Sequence, residues 1–205
     1  STDAPEGLVL HLVGETSRIP LRGGQSSQEM ANEYPQARNS AMARWSGTAW
    51  ASLGSGSANG TNGSVDALVT AGNEVYAFGP FNSAGGGIAN AAARWNAGGW
   101  GTLGSGAGEG FARSVSAVAW FNGALHVGGS FTAAGPVPAS YIARWNGSGW
   151  TALGSGLDGP VDDMVVQGNA LVIGGSFNSA DGVPASRVVR WNGSAFSALG
   201  AGVDG

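Results

Sequence analysis

Four arginines, each followed by a tryptophan, are the residues of this chain whose type and spacing could do chemistry. They stand at Arg44-Trp45, Arg94-Trp95, Arg144-Trp145 and Arg190-Trp191, at intervals of 50, 50 and 46 residues. Brought together, four guanidinium groups would form a ring for carboxylates or other anions, because the planar fork of arginine matches that geometry. Four indoles could stack on sugar rings. The plainer reading is structural: a residue that recurs in every copy of a repeat is one the fold needs in every copy. The arginines are therefore expected to pair with acids or carbonyls between repeats, and the tryptophans to pack there.

The other chemistry-bearing residues are sparse. His11 and His126 lie in apolar runs without a carboxylate–histidine cluster, as packed strand histidines do and as bases or metal ligands do not. Asp66, Asp158, Asp162, Asp163 and Asp181 could offer oxygens to calcium, but none forms the Asp-x-Asp-x-Asp loop of such a site. Turn capping is the expected role of these acids. Sequons at Asn59, Asn62, Asn146 and Asn192 have the same explanation, since the last two are hairpin turns of the repeat itself. With no cysteine, disulfides, thiolate metal sites and cysteine nucleophiles are excluded. No catalytic set, metal or cofactor is expected.

The elements that must position these residues come from a longer phrase around each Arg-Trp pair. It runs over residues 42–56, 92–106, 141–156 and 187–202. In the last copy an apolar strand at 161–166 is followed by the turn Gln167-Gly168-Asn169. A strand at 170–177 with a double glycine comes next, then a loop at 178–186, a strand at 187–191, the turn Asn192-Gly193 and a strand at 196–199. Gly and Asn tolerate the positive φ that two-residue hairpins demand. Equivalent strand pairs recur at 65–69 with 74–81, and at 115–120 with 124–131. A degenerate copy at 8–25 matches the next one at a constant offset of 56, and a polar insertion at 26–40 follows it. The units then span about 8–56, 65–106, 115–156 and 161–202. A period of roughly 40–50 residues with four short strands per unit is the signature of an all-β propeller. One domain over residues 1–205 is expected, with four blades that close a small ring or form an arc of a larger one.

Register decides where the aromatics point. If Gly147-Ser148 form the turn, Trp145 faces Trp150 across the hairpin, and Trp45/Trp50, Trp95/Trp100 and Trp191/Phe196 do likewise. If Asn146-Gly147 turn instead, the pairing slips by one residue and the rings part. The first register is preferred.

Composition narrows the function classes. A net charge of −4 and nine basic residues, all of them arginine and spread singly, leave no footprint for nucleic acid or an anionic membrane. No run approaches the ~18 apolar residues of a membrane-spanning helix. Glycine, at 38 residues, is roughly 2.5 times its average share and falls in step with the repeat, which speaks for turns and against disorder. Low charge, absent lysine and abundant small polar residues lean towards a secreted, periplasmic or cell-surface location.

The unit resembles the kelch-type repeat of galactose-oxidase-like β-propellers. The resemblance rests on Leu171-Val172-Ile173-Gly174-Gly175, Trp191, Phe196 and Leu199, and on Leu125-His126-Val127-Gly128-Gly129, Trp145, Trp150 and Leu153. It is more similar still to Ala-Arg-Trp-Asn-Gly repeats of secreted bacterial proteins and to the propeller of a fungal cortical cell-polarity marker. The resemblance covers the chain apart from the insertion. It implies kelch-like blades and, because such propellers are most often protein-binding modules, a non-enzymatic interaction or scaffold role. Copper oxidase chemistry is not implied, since the tyrosine–cysteine cross-link has no cysteine here.

Sites specific to this chain are expected where the phrase breaks. Those places are Glu33, Tyr34 and Arg38 in the insertion, Phe111 and Arg113 before the third unit, and Trp120-Phe121 where other copies carry Ala71-Gly72 or Gln167-Gly168. Exposed aromatics on loops would make an interaction patch. The partner is expected to be a protein or a larger assembly, and an oligomer is compatible with the repeat. A carbohydrate-binding lectin that stacks sugars on loop tryptophans is the alternative.

Overall fold

The computed structural model describes residues 8–11, 42–45, 50–54, 60–103 and 114–200, and all regular structure in them is β. Three four-stranded antiparallel sheets follow one another as meanders in chain order. Sheet 2 comprises Ala67–Ala71, Glu74–Phe78, Ala92–Asn96 and Gly99–Thr102. Sheet 3 comprises Val115–Phe121, Ala124–Gly129, Ile142–Trp145 and Trp150–Ala152. Sheet 4 comprises Val161–Gln167, Ala170–Gly175, Val188–Trp191 and Phe196–Ala198.

Sheet 1 has three strands, Leu8–His11, Met42–Trp45 and Trp50–Ser52. Here the expected assignment shifts. Leu8–His11 pairs directly with the Arg-Trp strand, Leu10 opposite Ala43, so it stands where Glu74–Phe78 stands in sheet 2 and not at a first-strand position. A short apolar run satisfies either position by pattern, and only pairing with the Arg-Trp strand decides. The insertion at 26–40 lies outside the described residues.

The turns follow from residue type. Gly72, Asn122 with Gly123, and Gly168 adopt positive φ at the first hairpin of sheets 2, 3 and 4. At the last hairpin, Trp145 pairs with Trp150 and Asn146 donates its N–H to the Gly149 carbonyl at 3.2 Å, so Gly147-Ser148 form the turn. The same register holds for Trp45/Trp50, Trp95/Trp100 and Trp191/Phe196. The ring centroids lie 5.2 Å apart for Trp145/Trp150 and 4.7 Å apart for Trp191/Phe196. Cross-strand pairs of this kind contribute roughly 0.2–1 kcal/mol each.

The loop between the second and third strands carries a small hairpin that the sequence pattern did not reveal. It pairs Ser83–Ala84 with Gly87–Ile88, Ala133–Ala134 with Val137–Pro138, and Ser179–Ala180 with Val183–Pro184. Phe81, Phe131 and Phe177, all buried, anchor its base. The chain then re-enters the sheet through a left-handed non-glycine residue, Ala91, Tyr141 or Arg187, with φ of 62°, 67° and 66°. Two backbone bonds hold that conformation each time. Its N–H donates to the carbonyl of the anchoring phenylalanine at 2.9 Å, and its carbonyl accepts from Gly79, Gly129 or Gly175. These bonds offset the roughly 1–2 kcal/mol that a left-handed L-residue costs.

The sheets stack face to face. One face of sheet 2, carrying Tyr76, Phe78 and Ala92, packs on Leu125, Val127, Trp145 and Trp150 of sheet 3. Phe78 meets Trp150 edge-on, with centroids 6.4 Å apart. The corresponding face of sheet 3, with Ala117, Ala119, Phe121 and Ile142, packs on Leu171, Ile173, Trp191 and Phe196 of sheet 4. Met42 and Leu53 meet Val75, Ala77 and Ala93 at the junction of sheets 1 and 2, where Trp100 Nε1 donates to the Leu53 carbonyl at 2.6 Å. A bulge in the first strand of sheet 3 turns Ser116 outward, and its Oγ donates to the Val161 carbonyl of sheet 4 at 2.9 Å.

Candidate functional site

A cluster of Trp120, Tyr76, Glu74 and Arg94 lies where sheets 2 and 3 meet; Tyr76 is buried and the other three side chains are partly exposed. Trp120 projects from the first strand of sheet 3 and is 36% exposed. It stacks on Tyr76, with centroids 5.7 Å apart and planes 30° apart. The Tyr76 hydroxyl donates to Glu74 Oε2 at 2.6 Å, and Arg94 Nη1 lies 3.3 Å from Glu74 Oε1. Burial and then the hydrogen bond to Glu74 push the Tyr76 phenol up to about 12, so it stays a protonated donor. The result is an indole face beside a neutralised carboxylate–guanidinium pair. Such a strip can stack and hydrogen-bond, and it offers no free base or nucleophile.

Hairpin register shows what is particular to this place. Ala71, Phe121 and Gln167 are equivalent, each closing its turn against Glu74, Ala124 or Ala170. Trp120 therefore matches Thr70 and Val166, one residue away from the alignment that the sequence alone supports. Tyr76 matches His126 and Val172, while Glu74 matches Ala124 and Ala170. Three of the four cluster residues thus depart from the repeat at once.

Other expected site residues fall differently. Phe121 is 3% exposed and packs in the core between sheets 3 and 4, so it presents no surface, because alternation turns it to the face opposite Trp120. Glu33, Tyr34, Arg38, Phe111 and Arg113 lie outside the described residues. Among the repeated arginines, Arg94 pairs with Glu74 and Arg190 Nη2 donates to Asn169 Oδ1 at 3.1 Å. Both partners lie in the arginine's own sheet rather than in a neighbouring one, because the preceding hairpin brings them to the adjoining strand. Glu74 and Tyr76 carried no sequence signal beyond being unlike their counterparts, and only register makes that comparison possible.

Two of the acidic residues, Asp158 and Asp181, act as turn locks. Asp158 accepts N–H bonds from Asn178 and Ser179 at 2.8 and 2.9 Å, tying the segment before sheet 4 to that sheet's own small hairpin. Asn62 does the same in sheet 2, with Asn82 and Ser83 at 3.1 and 3.0 Å. Asp181 accepts from Ser155 N at 2.7 Å and from Ser155 Oγ at 2.8 Å. Asn146 and Asn192 each take two N–H bonds and a serine hydroxyl within their turns. Among the described residues no group of three or more potential metal ligands is gathered.

Backbone donors hold the Asp158 carboxyl below its ordinary value of 3.8. A depressed carboxylate stabilises the fold fully above that value, and the contribution is lost as the pH falls below it. Asp158→Ala is expected to lower the urea midpoint at pH 7, and the difference from the parent should shrink at pH 2.5. A difference that persists undiminished in acid would rule out the charged cap as its cause.

No family model and no curated protein matches the chain. Among solved structures, the computationally designed Ika8 protein is similar at 17% identity and a TM-score of 0.46, over 75% of this chain and 50% of that one. The chain thus spans half the length of that designed protein.

Proposed function

We propose that this chain is a non-enzymatic interaction module of the extracytoplasmic space, a stack of propeller-type blades that docks a protein partner through the Trp120–Tyr76–Glu74–Arg94 surface. One observation carries the reading: three departures from the repeat converge on a single cluster, in which buried Tyr76 supports the partly exposed Trp120 and Glu74. Positions that serve the fold recur in every sheet, whereas Trp120, Tyr76 and Glu74 do not. Exposed tryptophan beside arginine is also the composition that dominates interface energetics. The stacked sheets of near-identical connectivity support the propeller-type arrangement, which leaves such surfaces on a rigid frame.

The test compares the parent with Trp120→Ala and with Glu74→Ala in co-purification from the native source. Both variants are expected to lose the partner while the melting temperature falls by less than about 5 °C, as for a half-exposed site. Retention of the same partner by both variants would refute the surface. A glycan reading uses the same indole. It requires sugar-dependent quenching of fluorescence that Trp120→Ala abolishes, and such quenching would replace the protein-docking reading.

A further inference from the structure

We propose that the seam between sheets 3 and 4 binds the carboxylate of a ligand, with Arg144 and His126 as its two donors. The site is separate from the Trp120 surface and does not depend on that reading. The molecule supplies its own template one seam earlier. There the Glu74 carboxylate is held from two sides, by Arg94 Nη1 at 3.3 Å and by the Tyr76 hydroxyl at 2.6 Å.

Register places the same three positions in sheet 3. Arg144 pairs with His126 as Arg94 pairs with Tyr76, and Ala124 stands at the hairpin where Glu74 stands in sheet 2. Both donor positions keep a hydrogen-bonding side chain, while the position of the acid is held by alanine. Directly opposed residues on one face have Cβ atoms about 4.5–5.5 Å apart, so one carboxylate can reach guanidinium and imidazole together.

Both groups lack partners within the molecule. His126 is 1% exposed; its Nδ1–H donates to the Ala124 carbonyl at 3.2 Å, and its Nε2 meets no hydrogen-bonding group. Arg144 Nε is buried and equally unmatched, and among the described residues no carboxylate forms an ion pair with Arg144. The face of sheet 4 packed over this place adds no charge. It presents Met164, Val166, Leu171 and Trp191, and the Trp191 indole N–H is a third buried group of the seam without a partner. Buried polar groups are almost always paired, so three unpaired ones along a single seam point to a ligand that pairs them.

The rim of the seam is open to such a ligand. Val166, 42% exposed, stands where the much larger Trp120 covers the preceding seam, and Arg144 is itself partly exposed. On binding, Arg144 pairs with the carboxylate. His126 takes up a proton from solvent at Nε2 and donates it in a hydrogen bond, as the Tyr76 hydroxyl does to Glu74.

The imidazole nitrogen resonances of His126, followed by NMR against pH, test the site with glutarate and with the peptide Gly-Gly-Glu-Gly-Gly as probes. Each probe is expected to raise the His126 titration midpoint by about one pH unit at saturation, as an opposite charge beside an imidazole does. The tighter of the two shows whether the carboxylate belongs to a small organic acid or to an acidic segment of a protein. Gly-Gly-Gln-Gly-Gly should have no effect. Arg144→Gln is expected to weaken binding by at least about 10-fold while the melting temperature changes by less than about 5 °C. Ala124→Glu combined with His126→Tyr copies the sheet 2 set into sheet 3, and calorimetric titration of that variant should detect no binding of either probe. A His126 midpoint that neither probe moves at tens of millimolar would overturn the proposal. So would an equal shift with the glutamine peptide, or a shift that persists undiminished in Arg144→Gln.

Discussion

Gly129→Ala is expected to cost about 3 kcal/mol and to lower the melting temperature by about 10 °C, while Gly174→Ala, on the same sheet motif, shifts it by less than about 3 °C. The second glycine of each double-glycine phrase faces its own sheet's first strand. A Cβ at Gly129 would collide with the Ser114 carbonyl oxygen, at Gly175 with that of Pro160, and at Gly79 with that of Ser64. The first two oxygens cannot retreat freely. Ser130 N donates to the Ser114 carbonyl at 3.0 Å, and Ser176 N to the Pro160 carbonyl at 2.9 Å. A methyl group at Gly129 must therefore push a strand aside and lengthen that hydrogen bond, and each contributes on the order of 1–2 kcal/mol. The first glycine answers to a different neighbour, which is why Phe78 can occupy that position in sheet 2. Thermal melts followed by circular dichroism decide the matter. Equal losses from Gly129→Ala and Gly174→Ala would refute this division of roles.

Acidification is expected to weaken the fold through His126 well before the carboxylates titrate. His126 is 1% exposed, its Nδ1 lies 3.2 Å from the Ala124 carbonyl, and Phe121 meets it edge-on at 5.7 Å. Its Nε2 has no hydrogen-bond partner. Burial, with the Arg144 charge nearby, pushes the imidazole from 6.5 down to about 4, against the raising effect of the Ala124 carbonyl. The unfolded chain takes up a proton near 6.5, and the folded chain refuses it until about 4. Stability is thus insensitive to this group above 6.5, falls as the pH drops through that window, and levels off below about 4. The gap corresponds to about 3 kcal/mol. His126→Phe, which follows the aromatic that sheet 2 carries as Tyr76, is expected to remove the fall between pH 6.5 and 4. Urea midpoints at pH 7.5, 6, 5 and 4 measure it, and parallel profiles for parent and variant would show that another group is responsible.

The repeat made most of the strand order legible. Turn glycines and asparagines gave the hairpins, and a two-residue turn at Gly147-Ser148 gave the aromatic register. Three things stayed hidden for physical reasons. The small hairpins consist of two-residue strands rich in Ala, Ser and Pro, too short for any alternation to register. Leu8–His11 fits two strand positions by hydrophobicity, and only pairing with Met42–Trp45 chooses between them. Phe121 looked like half of an aromatic patch because it adjoins Trp120, yet neighbouring residues of a strand face opposite sides. The cluster around Trp120 was half visible. The break in the repeat flagged the tryptophan, but its partners Tyr76 and Glu74 come from another sheet some 45 residues earlier.

The fastening of each leader segment also bears on how such a chain can be rearranged. Asp158 and the bridge from Leu157 to Ala180 belong to the stretch before Val161, yet they close on the hairpin of the sheet that Val161 begins. Asn62 and the bridge from Thr61 to Ala84 do the same two repeats earlier. A gene segment covering residues 157–200 therefore carries its clasp when it is duplicated, transplanted or made the start of a circular permutant. A segment cut at Val161 abandons the clasp to the preceding repeat. The unit of recombination is longer than the sheet it encodes.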